Sequence, residues 1–251
     1  MSEENNYHDW FRSTVNHKGV MVKQFSDVSQ YFIRDAVNAS HTLIDMGCAY
    51  GIATLPILEM HKNIVACDLS QEHLDILKQE TPEKLLPYLT LKQGDFPYDF
   101  SFEKNSISGI HCSYIFNLMT AEAVSLALTH CFNWLIPGGK LYINAPTPYL
   151  NGLNFIDEFQ RREANGEPFP GIIDKQSMAS FIQQGLQEMM STDGLLNFLH
   201  VFTKESLSKV LIEKGFLIDF SQYFDIKIPS QLDPLIGGNG KASIGIIARK
   251  P

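Results

Sequence analysis

The chain has 251 residues, 44% hydrophobic and 19% charged, and its 28 acidic against 20 basic side chains leave a formal net charge of −8. That content supports one large domain, or one domain with an inserted subdomain, and excludes a disordered or collagen-like chain. The acidic balance argues against a nucleic-acid binder, which needs clustered Lys and Arg to neutralise phosphates. No run of about 18 apolar residues occurs and the first residues are polar and acidic, so no membrane span or signal peptide is expected and the chain reads as cytoplasmic. Cys48, Cys67, Cys112 and Cys131 are widely spaced, with no C-x-x-C pair and no neighbouring His at ligand spacing. They are expected as buried thiols, with no disulfide and no metal.

From residue 42 to 145 short apolar runs alternate with longer amphipathic segments, the pattern of repeated βα units around a parallel sheet. Thr42 to Met46 reads as a first strand, Gly47 to Gly51 as a tight turn, and a helix follows to about Met60. Asn63 to Cys67 is a second strand, closed by Asp68 and followed by a helix that Ser70 caps. Leu89 to Lys92 is a third strand ending at Gln93, Gly94 and Asp95, and Ile107 to Cys112 a fourth, apolar enough to be buried on both faces. Thr120 caps a helix to about Leu135, which Pro137, Gly138 and Gly139 terminate before a fifth strand, Lys140 to Ala145.

From Thr147 to about Phe198 the βα alternation stops, prolines punctuate the chain and aromatics are frequent, which reads as an inserted lid. Thr203 to Lys214 restores a helix stopped at Gly215, and Phe216 to Phe224 and Ala242 to Ala248 are two further strands forming an antiparallel hairpin at the sheet edge. The expected fold is therefore α/β: a doubly wound, mostly parallel seven-stranded sheet with an antiparallel C-terminal edge strand and helices on both faces, plus the lid.

The sharpest local feature is Leu43-Ile44-Asp45-Met46-Gly47-Cys48-Ala49-Tyr50-Gly51, an apolar strand entering a glycine turn that opens a helix. Glycines there let a ligand approach the backbone closely. A dinucleotide site wants G-x-G-x-x-G, whereas here Gly47 and Gly51 are separated by three residues, which disfavours a dinucleotide dehydrogenase.

With Asp68 at the end of the second strand, Asp95 at the end of the third, the Leu135-Ile136-Pro137-Gly138-Gly139-Lys140-Leu141 segment and the stretch from Phe202 to Phe216, the turn resembles that of the class I S-adenosylmethionine-dependent methyltransferases. The resemblance covers roughly residues 42 to 145 and 200 to 250 in the expected order. It implies a cofactor-binding core over 42–146, a lid or substrate subdomain over 147–199, the rest of the sheet over 200–251, and variable N-terminal helices over 1–41 that fold over the cofactor. It implies S-adenosylmethionine as cofactor, with S-adenosylhomocysteine as product.

By the same resemblance Asp68 accepts from the ribose hydroxyls with Leu69 beside it, and Gly94, Asp95 and Phe96 hold the adenine. Asp45 lies near the cofactor's amino group, backbone groups of Gly47, Cys48 and Ala49 line the methionyl portion ahead of Gly51, and Cys112, Ser113 and Tyr114 approach the sulfonium. Each has a plainer reading: Asp68 as a helix cap, Asp95 as a turn residue, Phe96 as core. Ser108 and Gly109 stand where the family often has an acid at the start of the fourth strand. Asn144-Ala145-Pro146-Thr147-Pro148-Tyr149 is similar to the Asn-Pro-Pro-Tyr box of amino-group methyltransferases but follows the fifth strand, not the fourth.

No catalytic residue is identified. His111, within the fourth strand, reads as a hydrogen-bonded core histidine, and His200 as an exposed loop histidine. Tyr149 reads as either lid packing or a face of the acceptor site, so Tyr149 and His200 are weak acceptor-side candidates. The aromatics and methionines of the lid (Phe155, Phe159, Phe169, Phe181, Phe198, Met178, Met189, Met190) read as an apolar pocket or as the subdomain's own core. The expected activity is methyl transfer to a small or medium-sized acceptor, with nucleic acid disfavoured and a protein acceptor left open. The competing readings are a propylamine-transferring relative, for which Cys112-Ser113-Tyr114 offers no acidic amine cluster, and a non-catalytic cofactor-binding scaffold.

Overall fold

The computed structural model describes residues 11–13, 20–22, 24–186, 198–227 and 230–251. Two short antiparallel strands, β1 (Phe11–Ser13) and β2 (Val20–Val22), precede helix α1 (Asp27–Ala36), whose N-cap Ser26 accepts from the Ser29 amide at 3.1 Å. The described part of residues 1–41 is thus a strand pair and one helix, where helices alone were expected. Tyr7, His8 and Trp10 lie outside the described residues.

The core follows the expected alternation. Strand β3 (Thr42–Met46), α2 (Thr54–Glu59), β4 (Ile64–Asp68), α3 (Gln71–Glu80), β5 (Leu89–Gln93), β6 (Ile107–Ser113), α4 (Ala121–Trp134) and β7 (Leu135–Pro146) succeed one another. Ser70 and Thr120 cap α3 and α4 by accepting from the amides three residues on. The lid holds α5 (Ile156–Ala164), β8 (Ile172–Asp174), α6 (Met178–Phe181) and β9 (Phe198–His200), and the chain closes with α7 (Lys204–Glu213), β10 (Leu217–Phe224), α8 (Asp233–Ile236) and β11 (Ser243–Arg249).

Seven strands form one sheet in the order β5-β4-β3-β6-β7-β11-β10. The five from β3 to β7 run parallel, and β11 is antiparallel to both of its neighbours. The C-terminal hairpin closes this side of the sheet as expected, but the last strand lies one place in and β10 takes the edge. Composition explains the exchange: Ile244, Ile246, Ile247 and Ala248 make β11 buried nearly throughout, while Asp219, Ser221 and Gln222 give β10 the polar character an edge needs.

The helix terminator was also placed differently. Leu135 already has extended backbone, so α4 ends before Pro137, and Pro137-Gly138-Gly139 lies inside β7 as an irregularity in its pairing with β6. Gly138, at φ +80°, donates to Lys250 C=O, so the segment carries sheet hydrogen bonds and does not stop the helix.

Strand residues alternate between two helical layers. Leu43, Ile64, Tyr142 and Ile247 meet Val28, Phe32, Ile57 and Leu58 of α1 and α2. On the other face Ile44, Ile110, Ile143 and Ile246 meet Val124, Leu128, Leu207 and Leu211 of α4 and α7. The lid has its own core, with Phe155, Phe159, Ile173, Leu186 and Leu199 together and Met178 and Phe181 packed on it, while Phe169 leans on the main core. Met189 and Met190 lie outside the described residues.

Candidate active site

The chain winds outward from β3 through β4 and β5 on one side and through β6 and β7 on the other, so the sheet's switch point lies between β3 and β6. Ligands of open α/β sheets bind beyond the carboxyl ends of the strands at such a point. The glycine turn, Asp68 and the Ser113–Tyr114 step all stand at those ends.

The turn needs left-handed backbone at Gly47 (φ +70°), Ala49 (φ +45°) and Gly51 (φ +76°). Its amides face into the protein. Gly47 and Cys48 N–H both donate to Cys67 C=O at 2.8 and 3.0 Å, and Ala49 N–H donates to Asp68 Oδ2 at 2.9 Å. The amides of these three residues are thus paired within the protein and do not form the ring of free N–H groups that a diphosphate would need.

Asp68 is buried to 8% exposure and gathers three donors: Ala49 N–H on Oδ2, and Ser70 N–H and His73 Nδ1 on Oδ1, each at 2.9 Å. A carboxylate offers about four acceptor sites, so Oδ2 retains capacity. The helix-start role and a ligand role are therefore compatible. Next to it Leu69 is 45% exposed, an apolar surface at the strand tip. The ring of His73 meets Tyr50 edge-on, and the Arg12 guanidinium of β1 stacks on the other side of this cluster, 3.8 Å over Tyr50, while forking onto Glu80.

Asp45 is held as firmly: Thr54 O–H donates to Oδ2 at 2.7 Å, and His111 Nδ1 lies 2.8 Å from Oδ1. His111 is indeed a buried, hydrogen-bonded histidine. At the end of β5, Gly94 N–H donates to Asp68 C=O, and Asp95 forms a turn through Tyr98 and Asp99 while its exposed carboxylate has no hydrogen-bond partner among the described residues. The Phe96 ring is core, packed with Phe100 and Trp134. Burial pushes the Cys112 thiol up, with Cys131 beside it. Ser113 accepts from Asn144, and Tyr114, at φ +54°, donates its phenol proton to Ser243.

His73 and Thr54 were not singled out from sequence as partners of the two acids. Asp68-x-Ser70-x-x-His73 was the available signal, because the third residue of a helix capped at Ser70 turns back toward the strand end.

Residues 43–139 match a family model described as a methyltransferase domain. The match spans the core from β3 into β7, so that stretch is similar to a methyltransferase domain. No match is found among curated proteins. Among solved structures, the chain is similar to an S-adenosylmethionine-dependent methyltransferase from Mesorhizobium loti, with TM-score 0.61, 15% identity, and 90% and 99% of the two chains covered. It is also similar to a Listeria monocytogenes protein described in the same terms, with TM-score 0.60, 14% identity and coverage of 89% and 98%. A third is the glycopeptide N-methyltransferase MtfA complexed with S-adenosyl-L-methionine, with TM-score 0.55, 15% identity and coverage of 89% and 92%. At these identities the likeness is one of fold.

Of the two residues expected on the acceptor side, Tyr149 packs edge-on against Tyr223 at 5.6 Å with Lys241 Nζ over its ring at 5.3 Å. His200 is not the exposed loop residue expected. It ends β9, fully buried among Phe169, Phe198 and Phe202, with Nδ1 3.1 Å from Met119 C=O and Nε2 unpartnered among the described residues. Pairing of β9 with β8 draws it inward. No helix among the described residues is long and apolar enough to cross a membrane.

Proposed function

We propose that this methyltransferase moves a methyl group from S-adenosylmethionine to a small or medium-sized acceptor and releases S-adenosylhomocysteine. One observation carries the reading. Two buried carboxylates, Asp45 and Asp68, stand at neighbouring strand ends beside a glycine turn whose Gly47, Cys48 and Ala49 amides are already paired. Such a site is rich in acceptors and poor in donors, and suits a ligand that brings hydroxyl and ammonium groups, not phosphates.

The residues fit that cofactor. Asp68 would accept from the ribose hydroxyls, Leu69 would cover the adenine's apolar face, and the free Asp95 carboxylate would accept from the exocyclic amine. Asp45 would face the ammonium. The bound cofactor supplies a methyl group already activated by its sulfonium. What the chain must add is alignment and exclusion of water, and positioning alone can supply about 7 to 11 kcal/mol. A general base is optional, and Tyr149 and His200 both have other work in packing. The four free, buried cysteines suit a reducing compartment, which supports a cytoplasmic location.

The test is a thermal-shift comparison of S-adenosylmethionine, S-adenosylhomocysteine and NAD. A ligand at 100 times its Kd stabilises the native state by about 2.7 kcal/mol. A shift with the two adenosyl ligands alone supports the reading and opens an acceptor screen that follows released S-adenosylhomocysteine. A shift with NAD alone, or none, defeats it.

A further inference from the structure

A chain of buried polar groups runs from the glycine turn, across the sheet, to helix α1. It starts at Thr54, which donates to Asp45, and passes from Asp45 Oδ1 to His111 Nδ1. His111 Nε2 lies 2.9 Å from Ser29 Oγ on α1. Asn144 of β7 joins there, its amide nitrogen 3.2 Å from Ser29 Oγ and 3.1 Å from Ser113 Oγ, and its Oδ1 accepts from Ser26, the N-cap of α1, at 2.9 Å. The His111 ring also stacks on Phe32 of α1, centroids 5.0 Å apart and planes within 8°.

Proton counting gives this chain a single consistent direction for a neutral ring. Ionised Asp45 only accepts, so His111 carries its proton on Nδ1, and Nε2 must accept. Its donor is Ser29 O–H, whose oxygen takes one Asn144 N–H while the other goes to Ser113. Ser26 has one proton for two neighbours, Asn144 Oδ1 at 2.9 Å and Ser29 Oγ at 3.2 Å, and the shorter contact takes it. If α1 shifts, Nε2 loses its only donor where water does not reach, which costs more than the bond itself returns. If the ring turns to follow α1, Asp45 loses Nδ1.

We propose that His111 is a positioning residue that couples the seating of α1 to the direction of the Asp45 carboxylate, so that α1 takes part in cofactor binding without touching the cofactor. This rests on the reading of Asp45 as a cofactor-facing acid. A histidine filling the core would need any one partner. This ring instead joins the helix that covers one face of the sheet to the turn at the sheet's end.

The experiment titrates S-adenosylhomocysteine calorimetrically into the wild type, Ser29→Ala, His111→Asn and the double variant, and follows amide exchange in α1 with and without that ligand. Asn places its amide near the Nδ1 position, so it keeps a donor for Asp45 and cannot reach Ser29. In the wild type the ligand slows exchange across residues 27–36. Each single variant weakens binding roughly two- to tenfold, the range set by one hydrogen bond, and loses the added protection. The double variant is no weaker than either single, because both cut one link.

A merely structural role lowers the melting temperature and leaves affinity and ligand-induced protection unchanged, and that record overturns the coupling. So does wild-type α1 exchange that is indifferent to bound ligand. If His111→Asn does not fold, Ser29→Ala decides alone. A wild type that binds no S-adenosylhomocysteine defeats the cofactor reading and the coupling with it, a result distinct from binding that the variants leave intact.

Discussion

His73 Nδ1 meets Asp68 Oδ1 at 2.9 Å, with neither side chain more than 9% exposed, so the acid at the tip of β4 is held by a residue one turn into α3. A hydrogen bond to a charged group contributes about 1.5–3 kcal/mol, and His73→Ala removes it. It also removes the orphaned Nε2, which offsets part of the loss. We expect destabilisation of about 1–2 kcal/mol by urea denaturation, because Asp68 keeps its two backbone donors. We also expect weaker S-adenosylhomocysteine binding, because the carboxylate loses one of its three supports. Wild-type affinity with lowered stability would confine His73 to the helix start.

A side chain at either end of the glycine turn must displace a neighbour. A Cβ on Gly47 would collide with Ile115 Cγ2, and one on Gly51 with Leu77 Cδ1. Both positions also sit in left-handed backbone, which costs an L-residue roughly 1–2 kcal/mol. Gly47→Ala should therefore lower stability by more than that conformational cost. Adding Ile115→Ala should recover the steric part and leave the backbone part. Equal stability of the single and double variants in urea would show that the turn relaxes around the methyl.

Much of this was readable locally. Strand β3 has the bounds its apolar run and following glycine announce, and Ser70 and Thr120 cap where their positions imply. The misses in the sheet and the lid are long-range. Which of β10 and β11 lies outermost depends on pairing with β7, far away in the chain. Pro137-Gly138-Gly139 reads as a stop signal until Gly138 is seen donating to Lys250. His200 looks like a polar residue in a loop until β8 pairs with β9 and three phenylalanines close around it. In the site, sequence placed the acids at strand ends, but not the histidines that hold them or the inward direction of the turn's amides.

Asp225 gathers the loop that leads into β11. Its carboxylate accepts from Ala242 and Gly240 N–H at 2.8 Å each and from Gly238 N–H at 3.3 Å. The same loop carries the Lys241 ammonium over Tyr149 and takes the Thr147 hydroxyl on Lys241 C=O. Asp225→Ala strands three amides, of which the outer ones can turn to water. We expect a loss of about 1.5–3 kcal/mol in urea and faster exchange of the 240 and 242 amides. Unchanged exchange there would mean that the loop is held by its backbone contacts alone.

His200 makes stability depend on acid. Burial among phenylalanines drives its pKa down from 6.5 to about 4, against the smaller opposing effect of the Met119 carbonyl. Between those values the unfolded chain binds a proton that the folded chain refuses, so unfolding becomes easier as pH falls. This contribution is fully present above about pH 6.5 and is lost progressively toward pH 4, a total of about 3 kcal/mol. His200→Asn can keep a donor for Met119 C=O and cannot be protonated in this range. Urea midpoints at pH 7 and pH 5 should therefore lie closer together in the variant than in the wild type. An equal separation in both would show that His200 takes up its proton without leaving the fold, and that another group sets the acid sensitivity.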